Sequence, residues 1–406
     1  MRISSYLIFS VLVLGVVACG DDGGNGAIDS SILPSDDANV VIDGSVDSAV
    51  VDAAVVDSAV VDAAVVVPAA LFAFNGAGGA PVGWLDVDNL ASDRVPDLTL
   101  WDLNGGEAQS LACHGGKLIV ATDTLTQPVL VWDDPRGVAD GAMPDITITD
   151  SPFGGRVTSG DTFTTSTGDI WLVDSSSIWR VVNGTGGGTT AVGFATSDVS
   201  VATVVDAAGD TLFAAPDGSS MVAWENVSTM TGTANASTWT FSASIRVQAL
   251  TISANRLFAG LNAGSGGGPV LQIWNGVSTL SGPTEPVADV VRNDLSAFSG
   301  YRSLVVTVDD FLIGVYDPGS GIPALFGGPP PRELHVYAGA STMTSGTVPS
   351  VISHASLAGL DNIVVSAAGT LYGNNGSQIV VVPSITTTPG TPFTIAYSAD
   401  AVCVVQ

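Results

Sequence analysis

The sequence predicts an all-β protein whose main body is a β-propeller, and three observations lead to this prediction. From residue 69 onward the apolar runs are short, rich in β-branched residues and bounded by Gly, Asp, Asn and Ser, which is typical of strands. No stretch carries a long apolar period of 3.6 residues with helix caps, so few helices are expected. One strand pattern recurs every 42 to 59 residues, the spacing expected of four-stranded blades.

Each copy of the pattern has three recognisable strands. The first follows a turn and reads Gly-x-Leu or a variant of it, and its Leu or Ile stands at Leu118, Ile170, Leu212, Leu257, Leu312 and Leu371. The second mostly ends in an aromatic residue and occurs at 71–74, 129–132, 178–181, 221–224, 271–274, 334–337 and 379–382. The third is clearest after a Pro, at 96–100 and 144–148. Seven copies of the second strand predict seven blades.

Two architectural alternatives stay open on the sequence. The first blade shows no obvious Gly-x-Leu strand, so six blades are possible. A pair of β-sandwiches would also use short strands separated by polar turns.

The two ends of the body predict how the ring closes. Residues 400–405 resemble the inner strands that precede the Gly-x-Leu turns, such as 247–252 and 362–365. The body starts at 71–74 without such a strand before it. We therefore expect the C-terminal strand to complete the N-terminal blade, which closes the ring and hides both sheet edges.

Composition excludes several classes of protein. The chain has 39 acidic and 11 basic residues and a net charge of -28, which argues against binding to nucleic acid or to anionic lipid surfaces. Ten acidic residues and one basic residue precede Pro68, so the body keeps 29 acidic and 10 basic residues, a net charge of -19. An apolar content of 46% excludes disorder throughout the chain, and a single long apolar run excludes a polytopic membrane protein.

Residues 1–18 have the pattern of an export signal. Arg2 gives a positive start, residues 6–15 are apolar, and small residues precede Cys19. Residues 16–19 resemble the lipobox of bacterial lipoproteins, with Val16 in place of the commoner leucine. The resemblance implies that the signal is removed before Cys19, that its thiol is diacylated, and that the new amino terminus carries a further acyl chain such as palmitate. An aspartate directly after the cysteine would resemble an inner-membrane retention signal, and Gly20 stands there instead, which favours the outer membrane. An ordinary secretory signal with a chance cysteine is the alternative to the lipobox.

Residues 19–67 form an acidic segment of low complexity. Residues 20–39 are rich in Gly, Asp and Ser, and a Val-Asp-Ala pentapeptide then repeats with its aspartates at Asp47, Asp52, Asp57 and Asp62. A period of five residues keeps no apolar face in a strand or a helix. The segment therefore predicts an extended tether between a signal peptide at 1–18 and a propeller at 68–406, and a regular strand or helix docked on the body is the alternative.

The body also resembles NHL-type and related propellers of secreted bacterial proteins, most closely at 129–132 and 139–145. The resemblance implies a binding platform and no single activity, because this fold hosts enzymes and scaffolds alike. We therefore expect a monomeric, lipid-anchored binding or scaffold module of the bacterial cell envelope, with a protein or glycan ligand and no cofactor. A lactonase-like hydrolase that depends on a divalent metal at the propeller axis is the alternative.

Residues typical of catalysis or metal binding are scarce, and we assign no catalytic, cofactor or metal residue. His114, His335 and His354 are not spaced as a local metal site, although three blades could bring histidines to one axis. The loop 86–89 has oxygen ligands that suit calcium but lacks the glycine and the distal glutamate of a calcium loop.

Three tryptophans recur at one blade position, at Trp132, Trp224 and Trp274. Packing between blades is the simpler interpretation, and a surface on which a ligand stacks is the alternative.

Cys113 and Cys403 both lie in predicted inner strands, in adjacent blades of which one closes the ring. With Cys19 used for lipid, an even pair remains in an oxidising compartment, so a disulfide between them is a candidate. Two buried free thiols are the alternative.

Overall fold

A computed structural model of the chain describes residues 68–406 with internal gaps. The gaps lie at 76–78, 102, 104–105, 125–127, 150–161, 166–167, 175–176, 196–201, 206–210, 216–219, 230–231, 234–236, 242–244, 266, 281–285, 295–297 and 320–330. The predictions for residues 1–67, including the signal, Cys19 and the tether, lie outside the described residues. Among the described residues no helix is long and apolar enough to cross a membrane.

The described residues form seven antiparallel blades, which follow one another in chain order. Blade 1 contains β1 (Ala70–Phe74), β2 (Val82–Trp84) and β3 (Leu98–Thr99). Blade 2 contains β4 (Ala108–His114), β5 (Lys117–Thr122), β6 (Val129–Asp133) and β7 (Ile146–Ile148). Blade 3 contains β8 (Thr162–Thr164), β9 (Ile170–Asp174), β10 (Ser177–Val181) and β11 (Ala191–Ala195).

The remaining blades follow the same order from the inner strand outward. Blade 4 contains β12 (Ala202–Val205), β13 (Thr211–Ala215), β14 (Ser220–Glu225) and β16 (Ser237–Thr240). The short β15 (Gly232–Thr233) lies between β14 and β16 in sequence but pairs with β11 of blade 3. Blade 5 contains β17 (Arg246–Ser253), β18 (Arg256–Asn262), β19 (Gly268–Asn275) and β20 (Val290–Asp294). Blade 6 contains β21 (Gly300–Val306), β22 (Phe311–Asp317), β23 (Glu333–Ala338) and β24 (Ser350–Ser353). Blade 7 contains β25 (Asn362–Val365), β26 (Leu371–Asn374), β27 (Ile379–Val382) and β28 (Phe393–Ile395).

Short 3₁₀-helices lie in the loops of the described residues. Six follow the third strand of a blade, at Val87–Asn89, Pro135–Gly137, Gly184–Gly186, Val227–Thr229, Val277–Thr279 and Ala340–Thr342. The seventh, Ala355–Leu357, follows the fourth strand of blade 6.

The last strand, β29 (Ala401–Val405), closes the ring as the sequence predicts. It pairs antiparallel with β1, from Ala70 opposite Val405 to Phe74 opposite Ala401, and is the inner strand of blade 1. Its neighbours on either side are the inner strands of blades 2 and 7, β4 and β25. The last strand thus pairs with the first described strand, which confirms the propeller and excludes a pair of sandwiches.

The structure corrects the assignment of strands in blade 1. The sequence places residues 71–74 in the aromatic slot, but β1 pairs directly with the inner strand and therefore fills the slot of the Gly-x-Leu strands. The aromatic slot belongs to β2, which ends at Trp84. Phe72 and Phe74 misled the assignment because both rings are buried core residues of a different strand. The number of seven blades is unchanged.

Apolar side chains from adjacent blades form the cores between them. One cluster joins blades 1 and 2 and contains Phe72, Leu111, Trp132 and Cys403, all buried. Similar clusters join blades 2 and 3, 4 and 5, 5 and 6, 6 and 7, and 7 and 1. Because clusters cover both faces of the sheets in blades 1, 2, 5, 6 and 7, the middle strands of these blades are apolar at nearly every position instead of alternating.

The Asp that opens several fourth strands has a structural role. The carboxylates of Asp97, Asp145 and Asp289 each accept a hydrogen bond of 2.7–2.8 Å from the backbone N–H at or just after the end of the third strand. Each carboxylate therefore fixes the loop between the third and fourth strands, which explains why Asp recurs at this position.

Candidate functional site

Three inner strands carry a β-bulge close to their beginning. In blades 2, 5 and 6 the pairing with the second strand skips one residue, and the extra residues are Gln109, Gln248 and Arg302. A bulge takes a residue out of the regular alternation of a strand and re-aims its side chain. Because inner strands begin at one end of the central channel, we call this end the mouth face.

Arg302 connects blades 5 and 6 at the mouth face. Its Nη1 donates to Oε1 of Gln248 at 2.9 Å, and its Nε and Nη2 donate to Oδ2 of Asp317 at 3.2 and 3.0 Å. The two bonds to one carboxylate fix the plane of the guanidinium group. Of the Arg302 side chain 32% is exposed, so the fixed group still reaches solvent.

Arg332 extends the same network to blade 7. Its Nη1 donates to the carbonyl of Leu360 and to the carboxylate of Asp361, directly before β25. Its Nε lies 4.0 Å from Oδ2 of Asp317, so two guanidinium groups flank that carboxylate. We call Gln248, Arg302, Asp317, Arg332 and Asp361 the mouth cluster.

The mouth cluster suits recognition of a ligand better than chemistry on it. Its two guanidinium groups and two carboxylates balance in charge, within a body of net charge -19. It offers fixed hydrogen-bond donors and acceptors but no hydroxyl or thiol nucleophile. The guanidinium groups of Arg302 and Arg332 also repel a metal cation from the carboxylate of Asp317.

A cluster of aromatic rings lies behind Arg302, at the boundary between blades 5 and 6. The hydroxyl of Tyr301 is hydrogen-bonded to Nδ1 of His335 at 2.8 Å and to the hydroxyl of Tyr337 at 2.5 Å. The ring of Tyr316 stacks on the His335 ring with centroids 4.3 Å apart. Nε2 of His335 lies 3.2 Å from a carboxylate oxygen of Glu333. This network holds the strand that carries Arg302.

Burial governs the ionisation of this cluster. It raises the pKa of Tyr301 well above its usual value, and the neighbouring Tyr337 raises it further. Burial also raises the pKa of Tyr337. Burial lowers the pKa of His335, against the opposing effect of Glu333. The geometry suits a neutral imidazole that donates to Glu333 and accepts from Tyr301.

His335 is expected to make the propeller less stable in acid. Its pKa is lowered in the folded protein, so the unfolded chain binds a proton first as the pH falls below 6.5. Stability is therefore present above pH 6.5 and is lost as the pH falls toward the folded-state pKa. His335→Gln should reduce the loss of unfolding free energy between about pH 7.5 and 5.5 in urea titrations. An unchanged pH dependence in the variant would contradict this assignment.

The three histidines do not meet at the axis, so a shared histidine site is wrong. His114 ends the inner strand β4 at the face opposite the mouth, and burial lowers its pKa. His335 lies in the third strand of blade 6, away from the inner strand. His354 caps the 3₁₀-helix Ala355–Leu357 by accepting from the backbone N–H of Ser356.

The remaining metal candidates have simpler roles in the structure. The carboxylate of Asp86 accepts a hydrogen bond of 2.7 Å from the side chain of Asn89 within the loop 86–89. Among the described residues, no three His, Cys, Asp or Glu side chains are grouped so that they could hold one metal ion.

The recurring tryptophans pack inside the body, so a stacking surface for a ligand is wrong. Trp132, Trp224 and Trp274 are all buried. The indole N–H of Trp132 donates to Ala142 at 3.0 Å, and that of Trp274 donates to Pro286 at 2.9 Å, both backbone carbonyls. These bonds attach the third strand to the loop that follows it.

The structure brings Cys113 and Cys403 together. Their sulfur atoms are bonded and their Cα atoms are 5.7 Å apart, across a sequence separation of 290 residues. Cys113 belongs to β4 and Cys403 to β29, so the bond joins the inner strands of blades 2 and 1.

The mouth cluster was not predicted from the sequence, although a signal was present. Gln109, Gln248 and Arg302 each precede a small residue and a leucine at the start of an inner strand. Alignment of the inner strands alone would have shown a polar residue recurring at one position. Asp317 and Arg332 carry no comparable signal.

Comparisons with known proteins found similar solved structures but no family. No protein-family model matches the chain, and no curated protein matches it. Among solved structures, the chain is similar to the WD40 β-propeller domain of Doa1, with 11% identity over 73% of this chain and 83% of that chain and a TM-score of 0.47. It is also similar to BamB from Moraxella catarrhalis, with 11% identity over 80% of this chain and 86% of that chain and a TM-score of 0.46.

Proposed function

We propose that the chain is a lipid-anchored protein of the bacterial cell envelope whose propeller is a binding module, with the ligand held at the mouth cluster. The observation that carries the proposal is Arg302. It stands on a bulge, is fixed by Gln248 and Asp317 from two blades, and remains partly exposed. Bulges at equivalent positions of three inner strands support selection for side chains at the mouth.

The proposed organisation has a signal peptide at 1–18, a tether at 19–67 and a propeller at 68–406. The 49 tether residues would span about 40 Å as a flexible chain, enough to hold the body clear of a lipid surface. The lipobox-like residues before Cys19 support anchoring in the outer membrane, with a monomeric body. The bond between Cys113 and Cys403 supports an oxidising compartment such as the periplasm or the cell surface.

The metal-dependent hydrolase is the weaker proposal. Such an enzyme needs carboxylates or amides free to bind a divalent ion. At the mouth, the carboxylate of Asp317 is bonded by Arg302 and faces Arg332, and Asp361 is bonded by Arg332. A protein or glycan ligand, read by fixed donors and acceptors, fits these groups better.

A thermal-shift screen with matched arginine variants tests this function. We expect an oligosaccharide or peptide from the cell envelope to raise the Tm of the wild-type protein and of Arg136→Gln, but not of Arg302→Gln. Arg136 is a suitable control because its ion pair with Asp134 lies in a loop at the opposite face. Calcium or zinc chloride should leave the Tm unchanged. A rise in Tm with either ion that Asp317→Asn abolishes would favour the hydrolase instead.

A further inference from the structure

The most exposed apolar side chains among the described residues all lie in loops between the third and fourth strands of a blade. Among the described residues, the four most exposed large hydrophobic side chains are Val287, Val348, Val95 and Met143, at 93%, 79%, 72% and 65%. Val95, Met143 and Val287 each stand three residues before the first residue of the fourth strand, and Val348 stands two residues before it, all in the loop after the third strand. Single exposed apolar residues are ordinary on protein surfaces, but their repetition in the same loop of four blades is not.

The backbone does not require apolar residues there. Blade 7 has Thr391 in the corresponding loop, two residues before its fourth strand as Val348 is in blade 6, and Thr391 is exposed and stands directly before a proline, as three of these four residues do. A proline favours an extended residue before it, which threonine satisfies as well as valine. The valines and the methionine therefore have no evident purpose within the fold. We call Val95, Met143, Val287 and Val348 the apolar arc, since blades 5, 6, 7, 1 and 2 are consecutive around the ring.

The apolar arc lies at the end of the propeller opposite the mouth cluster. Third strands end, and the loops after them begin, at this second face. The start of β1 also lies here, because Ala70 pairs with the last strand residue, Val405, and the carbonyl of Ala69 accepts from the backbone N–H of Val87. Ala69 thus lies beside the loop that carries Val95.

Three of the four loops of the arc are acidic: the loop 275–289 with Val287 carries Glu285 and Asp289, whereas the loop 338–350 with Val348 contains no charged residue. The loops 85–97 and 133–145, which carry Val95 and Met143, contain eight acidic and two basic residues, a net charge of -6. Asp93, Asp140 and Asp145 are exposed there. A partner must therefore cover apolar side chains and supply positive charge around them.

We infer that the apolar arc is a docking surface for a second protein whose contact face is basic and has apolar pockets. The site goes beyond the proposed ligand site at the mouth and does not depend on it. Exposed apolar anchors encircled by charge are the usual composition of a protein interface. A lipid surface fits less well, since interfacial anchors are commonly Trp, Phe or Leu beside Lys and Arg, and here the loops of Val95, Met143 and Val287 carry acidic residues.

Site-specific photocrosslinking in the full-length protein tests the inference. The probe is p-benzoylphenylalanine, placed singly at each arc position and, as controls, at Val308 and Phe298, which are 51% and 47% exposed outside the arc. In cells of the source bacterium, we expect one discrete crosslinked protein from arc positions and none from the controls. With the probe at one arc position, replacing the other three arc residues with Thr should lower the yield of the crosslinked product about tenfold or more, because each replacement removes apolar contact area. Arg302→Gln should leave it unchanged.

The outcomes separate the possible occupants. A crosslinked protein that is basic at its contact face, with a yield that falls at high salt, supports the inference. A product of twice the chain mass would mean that a second copy of the chain covers the arc, and lipid adducts would mean that a membrane does; either result would overturn the inference. Equal yields at arc and control positions, or none, would overturn it too. Thermal unfolding of the triple Thr variants should match the wild-type protein, which excludes misfolding as the cause of a lost crosslink.

Discussion

Replacing Cys113 and Cys403 with serine is expected to lower the free energy of unfolding by about 4–5 kcal/mol, in the chain-entropy model of disulfides. The effect is large because the bond closes a loop across 290 residues in sequence. It also ties β29, the strand that closes the ring, to the inner strand of blade 2. Urea unfolding of the exported protein and of the double variant measures the difference.

A reductant provides the matched control for the disulfide. Dithiothreitol should destabilise the wild-type protein to about the level of the double variant and leave the variant itself unchanged. Equal unfolding midpoints for oxidised wild type and double variant would contradict the role of the bond in closing the ring.

Trp132→Ala is expected to cost about 3–5 kcal/mol of stability, the usual range for a large aromatic residue removed from a core. The Trp132 side chain is fully buried between blades 1 and 2, in the cluster that contains Phe72 and Cys403. Its removal leaves a cavity in that core and leaves the carbonyl of Ala142 without the indole donor. Chemical denaturation of the purified propeller measures the loss.

Trp132→Phe separates the two contributions. Trp132→Phe keeps most of the apolar contact but loses the hydrogen bond, so we expect it to lose less than half of the stability that Trp132→Ala loses. A loss below about 1 kcal/mol for Trp132→Ala would contradict the placement of this side chain in the core, since core cavities cost more.

The sequence predicts the architecture well because a propeller repeats its local signals. Gly-x-Leu turns, aromatic strand ends and the Asp before the fourth strand recur in several blades, so weak signals reinforce one another. The C-terminal strand is predictable for the same reason, since residues 400–405 repeat the inner-strand pattern without a blade of their own. The strand assignment of blade 1 is wrong because Phe72 and Phe74 make β1 resemble a third strand. Only the pairing of β1 with β29 shows that it is the second strand.

The mouth cluster depends on contacts that a linear pattern does not carry. Arg302 and Gln248 are 54 residues apart and meet only because bulges in two neighbouring blades turn both side chains toward each other. Arg332 reaches Asp361 across the boundary between blades 6 and 7. A bulge changes register by one residue, and its one mark in these strands is the polar residue at Gln109, Gln248 and Arg302.

Mass spectrometry of the mature N-terminal peptide, from protein purified out of the native membrane fraction, tests most directly that the propeller is lipid-anchored. We expect a peptide that begins at Cys19, with a diacylglyceryl group on its thiol and an acyl chain on its amino group. Cys19→Ser should abolish both and leave an unprocessed or soluble protein. A wild-type peptide that begins elsewhere and carries no lipid, or normal processing of Cys19→Ser in the membrane fraction, would contradict lipid anchoring.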